Sequence, residues 1–374
     1  MKDGVTEPET YANLRWKAIQ RHIPYLVTFE LTYRCNLKCT HCYLTPNDPH
    51  EEEMPVELWI RAIRELTDLG AFYVTITGGE PTLYPGFWDI LDELKRQETV
   101  VRLFTNATTL TEEDVDRLIR CGVRYTDISL HGPDAATHEA VTRTPGSFDA
   151  TIAAVKRLIA AGVHVNLKGS LLKSNYSTVN ELDRYMHSLG GNPLLSASIT
   201  PANDGGTEPL EKALGAEELC FVIDNYYREQ DEPPGDEPPE KTGTQRILHA
   251  ISCSAGFSTL SIAPSGEVFP CLQLRASMGN VRRSTLRRIW HHAPLNLYLN
   301  GLLTLPVPDC RGCELTEACM RCPGLALIET GSLWKPSTSA CEMALNRKSA
   351  HSARLTRKGS GNEQEELHPA QPDK

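Results

Sequence analysis

No stretch of the 374-residue sequence approaches the roughly 18 uncharged apolar residues of a membrane-spanning helix. The first 25 residues also lack the apolar centre of a signal peptide. Basic excess is missing too: 38 Lys and Arg stand against 48 Asp and Glu, a net charge of −10. A protein that tracks phosphates usually carries a basic stripe, so nucleic acid is disfavoured as a partner. These absences lead us to expect a soluble, cytoplasmic protein with neither a membrane nor a nucleic acid as partner.

Cysteine is what the chain has. Twelve of them in a long sequence without a signal peptide do not fit the disulfide framework of a small secreted domain. In a large intracellular protein they more often bind metal or do chemistry. The 40% hydrophobic content is enough for a large core, and the length suggests one large domain plus an addition.

From Tyr25 to about Pro201, short β-branched or aromatic runs alternate with amphipathic segments of helical length. The strand-like runs are 25–33, 72–79, 100–106, 125–132, 164–171 and 194–201. Helices are expected over 55–69, 112–121, 148–161 and 179–189. Thr111 with Asp114, and Thr178 with Glu181, have the spacing of capping partners, and Gly122 and Gly190 mark helix ends. Such alternation builds a parallel sheet with right-handed crossovers. Six repeats fall short of a closed eight-fold barrel, so the expected α/β fold is an open six-stranded sheet or a partial (β/α)6 TIM-like barrel. Ligands of such folds gather at the carboxyl ends of the strands. "CNLKCTHCY" lies there after the first strand, "TGGEP" after the second and "TN" after the third.

The first of these motifs holds Cys35, Cys39 and Cys42 and no fourth cysteine. Three thiolates in one loop can each take one iron of a four-iron cube and leave the fourth iron open. Zinc sites usually pair CxxC with a second pair elsewhere, and packing alone rarely puts three cysteines within eight residues. Cys35-x3-Cys39-x2-Cys42 resembles the cluster motif of the radical S-adenosylmethionine (radical SAM) superfamily, over roughly residues 20–205. In that family the amino and carboxylate groups of S-adenosylmethionine chelate the open iron. Reductive cleavage then releases a 5′-deoxyadenosyl radical that abstracts hydrogen from an unactivated C–H bond. The resemblance implies that His41 packs near the adenine and that Gly78, Gly79 and Glu80 hold the methionyl amine. It also implies that Ser129 binds the cosubstrate, that Arg143 pairs with its carboxylate, and that Asn106 sits near the ribose. No catalytic acid or base can be named. His131, His138 and Asp127 lie near the right strand end, where a histidine is more often structural.

Beyond Ser252 the rhythm stops and seven cysteines appear: Cys253, Cys271, Cys310, Cys313, Cys319, Cys322 and Cys341. A hairpin is expected to turn at Pro264-Ser265-Gly266. Cys253-x12-Gly266-x4-Cys271, followed by "CRGCELTEACMRC" and a later cysteine, resembles the SPASM extension of radical SAM maturases, over about residues 252–345. Cys319 and Cys322 are separated by two residues, where three are usual. The resemblance implies two auxiliary [4Fe–4S] clusters, one on Cys310, Cys313, Cys319 and Cys341, the other on Cys253, Cys271 and Cys322 with a fourth position open or filled from outside. Zinc ribbons use the same CxxC pairs and remain the alternative. Cys121 and Cys220 read as packing residues. The expected divisions are an N-terminal extension (1–20), the barrel (21–205), a connector (206–250), the auxiliary-cluster domain (251–345) and a disordered tail (346–374).

The resemblance is strongest to SPASM enzymes that modify ribosomally made peptides by crosslinking, thioether formation or epimerisation. Several carry an N-terminal peptide-recognition domain of roughly 80 residues. Only 34 residues precede Cys35 here, so a separate recognition protein, or the barrel and connector, would present the peptide. A flavodoxin- or ferredoxin-like protein is the expected electron donor. The alternatives are radical chemistry on a haem or tetrapyrrole precursor, and a non-catalytic iron–sulfur or zinc protein.

Overall fold

Six of the strand-like runs pair in chain order. They form β1 (Leu26–Glu30), β2 (Tyr73–Thr77), β3 (Val100–Thr105), β4 (Tyr125–Ser129), β5 (His164–Ser170) and β6 (Asn192–Ser196), each parallel to the next. The computed structural model describes residues 14, 17–44, 52–227, 253–292, 307–316, 318, 319 and 321–361. The acidic proline-rich stretch at 231–240, most of the N-terminal extension and residues 362–374 lie outside them.

Between the strands run α1 (Val56–Asp68), α2 (Phe87–Arg96), α3 (Glu112–Arg120), α4 (Ala135–Thr142), α5 (Ser147–Ala160) and α6 (Val179–Ser188). Sequence reading gave no bounds to α2 or α4. Each strand sends alternate side chains to opposite faces. Val27, Phe29, Val74, Ile76, Leu103, Ile128 and Leu167 go to the helix side and join Trp59, Ile63 and Ile90 in one core. Burying a side chain of this kind contributes about 1.5–3 kcal/mol. The alternate set, including Thr28, Glu30, Thr75, Arg102, Asp127, Asn166 and Lys168, gives the other, concave face a polar lining.

The box at the start of α3 forms as expected. Asp114 N donates to Thr111 Oγ1 at 3.2 Å and Thr111 N to Asp114 Oδ2 at 2.9 Å. Thr111→Ala is expected to lower stability by about 1 kcal/mol, read as a shifted urea midpoint at unchanged slope. The expected Thr178 cap on α6 does not form. A 3-10 turn at Tyr176–Thr178 leads straight into the helix, and the Thr178 hydroxyl donates instead to Asn175 O at 2.8 Å.

After α7 (Ala216–Val222) and a π-helical turn at Ile223–Tyr227, the hairpin around Gly266 is present as β7 (Thr259–Ile262) and β8 (Glu267–Phe269), followed by β9 (Gly279–Asn280). Gly266 turns it with φ +89°. β7 also pairs in parallel with β1, from Leu26 opposite Thr259 to Phe29 opposite Ile262. The result is a nine-stranded sheet in the order β6-β5-β4-β3-β2-β1-β7-β8-β9, so the cysteine-rich region covers what would have been an open edge at β1.

The last helices are α8 (Leu286–His292), α9 (Pro323–Thr330) and α10 (Thr338–Gly361), and α10 packs on α7. The expected disordered tail is corrected by this helix, which carries residues 346–361. The segment has few large apolar residues, but Arg, Lys and Ala, whose helix propensity is high, recur along it. Among the described residues no helix is long and apolar enough to cross a membrane.

Candidate active site and iron–sulfur ligands

The loop after β1 is clamped from two sides. On one side, Gly79 N donates to Thr32 O and Glu80 N to Arg34 O, both at 2.8 Å. This contact explains both glycines. A Cβ on Gly78, whose φ is +132°, would lie 2.3 Å from Thr32 O, and one on Gly79 would lie 2.3 Å from Arg34 O. On the other side, Lys38 N donates to Thr142 O at 3.0 Å and Thr40 N to Val141 O at 2.9 Å, tying the loop to the end of α4. The cysteines project from a backbone that is already fixed.

Their thiols feel one another. Cys39 is pushed up to about 12, by burial first and then by Cys42 and Cys35. Cys35 is raised by burial and by Glu80 and Cys42, against hydrogen bonds from Leu37 N and from Asn106 Nδ2, which lies 3.8 Å from the sulfur. Burial also raises Cys42. Among the described residues no three His, Cys, Asp or Glu side chains are grouped to share a single metal ion. A four-iron cube, with one thiolate per iron, asks for a wider spacing. Three mutually repelling thiols beside an amide donor fit such a cluster.

Glu80, expected with Gly78 and Gly79 to hold the methionyl amine, already has partners of its own. It is fully buried, and Oε1 accepts from Thr105 Oγ1 at 2.7 Å, Thr82 Oγ1 at 2.8 Å and Thr82 N at 3.3 Å. Oε2 accepts from Asn106 N at 2.8 Å. The carboxylate therefore fastens the end of β3 to the Gly-Gly turn, and burial still raises its pKa against these bonds. Asn106, expected near a ribose, braces the cluster loop: Nδ2 also donates to Asn36 Oδ1 at 2.9 Å.

His41 packs edge-on against His131 with centroids 4.9 Å apart, and its Nδ1 is buried without a partner among the described residues. Burial lowers His41 to about 4, so its ring is neutral at pH 7. His131 Nδ1 accepts from Ser170 N at 3.3 Å, and His138 Nδ1 accepts from His131 N at 3.1 Å. Both rings are lowered mainly by burial, His138 to about 4. These contacts and the Arg102–Asp127 ion pair give His131, His138 and Asp127 structural work. Ser129 ends β4 half-buried on the concave face, and Arg143 is exposed in the left-handed C-cap of α4, φ +54°.

The seven later cysteines gather in two sets. Cys271 is pushed up to about 11, by burial first, with Cys253 and Cys322 near enough to repel its thiolate. Cys341 feels Cys319, Cys310 and Cys313, and Cys310 feels Cys313 and Cys319. Backbone N–H groups point at three of the sulfurs: Leu274 N at Cys271 (3.3 Å), Ala255 N at Cys253 (3.5 Å) and Leu315 N at Cys313 (3.5 Å). Cys121 and Cys220 are buried elsewhere.

Sequence reading missed the polar links between these parts. Arg275, four residues after Cys271, reaches Glu30 at the end of β1 with Nη2–Oε1 at 2.8 Å and Nη1–Oε2 at 2.7 Å. It also donates to Tyr33 Oη at 3.2 Å. A glutamate inside the apolar run "LVTFEL" was the available signal.

Residues 29–196 match the model of the radical SAM superfamily, and residues 253–323 match SPASM, an iron–sulfur cluster-binding domain. The mycofactocin maturase MftC of Mycobacterium ulcerans is 30% identical over 73% of this chain and 76% of its own length. The chain belongs to the radical SAM superfamily. As a radical SAM enzyme with a SPASM domain, it uses a [4Fe–4S] cluster with S-adenosylmethionine and carries auxiliary iron–sulfur clusters. The AdoMet-dependent heme synthase of Methanosarcina barkeri is 26% identical over 82% of this chain and 93% of its own. Some relatives are longer, and the chain covers 64% of MftC from Mycobacterium tuberculosis. SuiB of Streptococcus suis, in its S-adenosylmethionine complex, shares the fold with a TM-score of 0.64 at 18% identity, over 91% of this chain and 82% of SuiB.

Proposed function

We propose that this radical SAM enzyme modifies a ribosomally made peptide, with Cys35, Cys39 and Cys42 holding the catalytic cluster. When bound, that cluster supplies one electron to the sulfonium of S-adenosylmethionine, generating the hydrogen-abstracting 5′-deoxyadenosyl group. The observation that carries the reading is the clamped three-thiol loop, rigid on both sides and lacking a fourth cysteine. The Gly78–Glu80 backbone is the group proposed for the methionyl amine, because its glycines let the turn lie directly against the cluster loop at Thr32 and Arg34. His41, kept neutral, offers a flat ring for the adenine. Ser129 and Arg143 are the groups proposed for the cosubstrate's polar end, and Asn106 holds Cys35.

Cys310, Cys313, Cys319 and Cys341 are proposed to close one auxiliary cluster, and Cys253, Cys271 and Cys322 to hold the other. The two electrostatically coupled sets support that division. The peptide part rests on relatives such as MftC, the PqqA peptide cyclase and the subtilosin biosynthesis protein AlbA. Coverage of 93% of a heme synthase favours tetrapyrrole chemistry as the second reading. A flavodoxin- or ferredoxin-like donor, and a separate peptide-recognition protein, complete the proposal.

Anaerobic reconstitution, dithionite reduction and S-adenosylmethionine are expected to give 5′-deoxyadenosine, with about twelve irons per chain. A peptide encoded beside the gene should raise the nucleoside yield and change mass. Zinc in place of iron, with no nucleoside, would sink the whole reading, whereas turnover of a tetrapyrrole alone would remove the peptide.

A further inference from the structure

Asp127, 2% exposed, anchors a charged group on the concave face. Its Oδ1 accepts from Arg102 Nε at 2.8 Å and Asn166 Nδ2 at 2.9 Å, and its Oδ2 accepts from Arg102 Nη2 at 2.8 Å. Those bonds nearly exhaust the carboxylate. Lys168, on the adjacent strand, is left with a long 3.7 Å approach to Oδ2 and with the face of Phe104, 4.1 Å from its Nζ. Two cations thus share one acid. An ammonium has three donors, and the contacts given by the described residues do not use them up.

We infer that Lys168 is a substrate anchor whose ammonium, over Phe104 and only partly balanced by Asp127, binds a carboxylate of the substrate. Position supports this. Lys168 stands opposite Ser129 in the β4–β5 register, near the strand ends where ligands of this fold gather. Its side chain is 43% exposed, so water serves it while the face is open. A substrate covering the face removes that water and makes an unbalanced ammonium expensive unless the substrate brings an anion. Burial already lowers the Lys168 pKa, against the pull of Asp127. A lysine placed only for solubility would point away from the lumen, with no acid beside it.

The inference deepens the function proposed above and rests on it for a substrate on this face. A peptide side chain or terminus, or a tetrapyrrole propionate, would supply the same group, and the peptide source is the one favoured here. The test uses holoenzyme with S-adenosylmethionine and three probes. They are N-acetyl-L-glutamate, neutral N-acetyl-L-glutamine, and mesoporphyrin IX as a propionate carrier. Dissociation constants are measured for the parent, Lys168→Gln, Lys168→Met and the surface control Lys173→Gln, each checked for iron content and melting temperature.

N-acetyl-L-glutamate is expected to bind the parent and the control alike, and the Lys168 variants at least about tenfold more weakly. The neutral probe should not distinguish them. The same loss with the porphyrin alone keeps the anchor but overturns the peptide source. Carboxylates that bind all four proteins equally, or none, overturn the anchor. So does a loss confined to S-adenosylmethionine, whose own carboxylate would then be the anion held. Nucleoside formation, assayed separately on the parent, tells failure of the anchor from failure of the radical chemistry.

Discussion

Cys39→Ala is expected to reduce 5′-deoxyadenosine formation to background while bound iron falls from about twelve to about eight per chain. Cys39 is the sulfur of the loop acted on by both Cys35 and Cys42, so its removal leaves two thiolates for a cube that needs three. The fold should survive. The loop is held through the backbones of Thr32, Arg34, Lys38 and Thr40, none of which depends on the Cys39 side chain. The auxiliary sets draw on other cysteines and should keep their iron. Iron analysis, electron paramagnetic resonance of the reduced protein and chromatography of the nucleoside give the three readouts. Persistent cleavage by Cys39→Ala would remove the loop from the chemistry altogether.

Legibility followed how local the interactions are. Cys35, Cys39 and Cys42 lie within one loop, so their spacing alone exposes them. Gly78 and Gly79 are legible as a motif, but what they approach, the carbonyls of Thr32 and Arg34, belongs to the preceding strand–loop unit and leaves no mark in the motif itself. Glu80 misleads for a related reason. A carboxylate beside a ligand site reads as a ligand acceptor, yet four hydroxyl or amide donors from Thr82, Thr105 and Asn106 surround it once β2 and β3 pair.

Long-range contacts were illegible. Periodicity finds β7 and its hairpin but cannot tell that β7 lies parallel to β1, because strand pairing leaves no mark within either strand. The helix over 346–361 is illegible for the opposite reason: it shows little hydrophobic periodicity, and its helical signal lies in the intrinsic propensity of Arg, Lys and Ala. Lys168 and Asp127 look like ordinary polar alternation in strands until the β4–β5 register, with Asn166 opposite Asp127 and Lys168 opposite Ser129, makes them diagonal neighbours on one face.

Arg275→Ala is expected to destabilise the protein by about 3–5 kcal/mol, the usual result of removing one partner from a buried ion pair. Glu30 is fully buried, and the Arg275 side chain is 12% exposed. The two residues are 245 positions apart, so the pair ties the segment after Cys271 to the strand that leads into the cluster loop. Burial works against the guanidinium, but the charge and hydrogen bonds of Glu30 outweigh it, and the Arg275 pKa ends above its ordinary value. Phe269 lies beneath, its centroid 5.0 Å away, and the Tyr33 hydroxyl beside the pair donates to the carboxylate and accepts from the guanidinium. Taking away the arginine leaves the Glu30 charge without water and without a counterion. A double variant, Glu30→Gln with Arg275→Met, should recover most of the loss, because the expense lies in the stranded charge rather than in the missing contact. Urea unfolding of Arg275→Ala, the double variant and the parent measures both the loss and its recovery. A loss under about 1 kcal/mol for Arg275→Ala would mean that water reaches Glu30 and that the sheet, through β7 on β1, holds the two regions together without the pair.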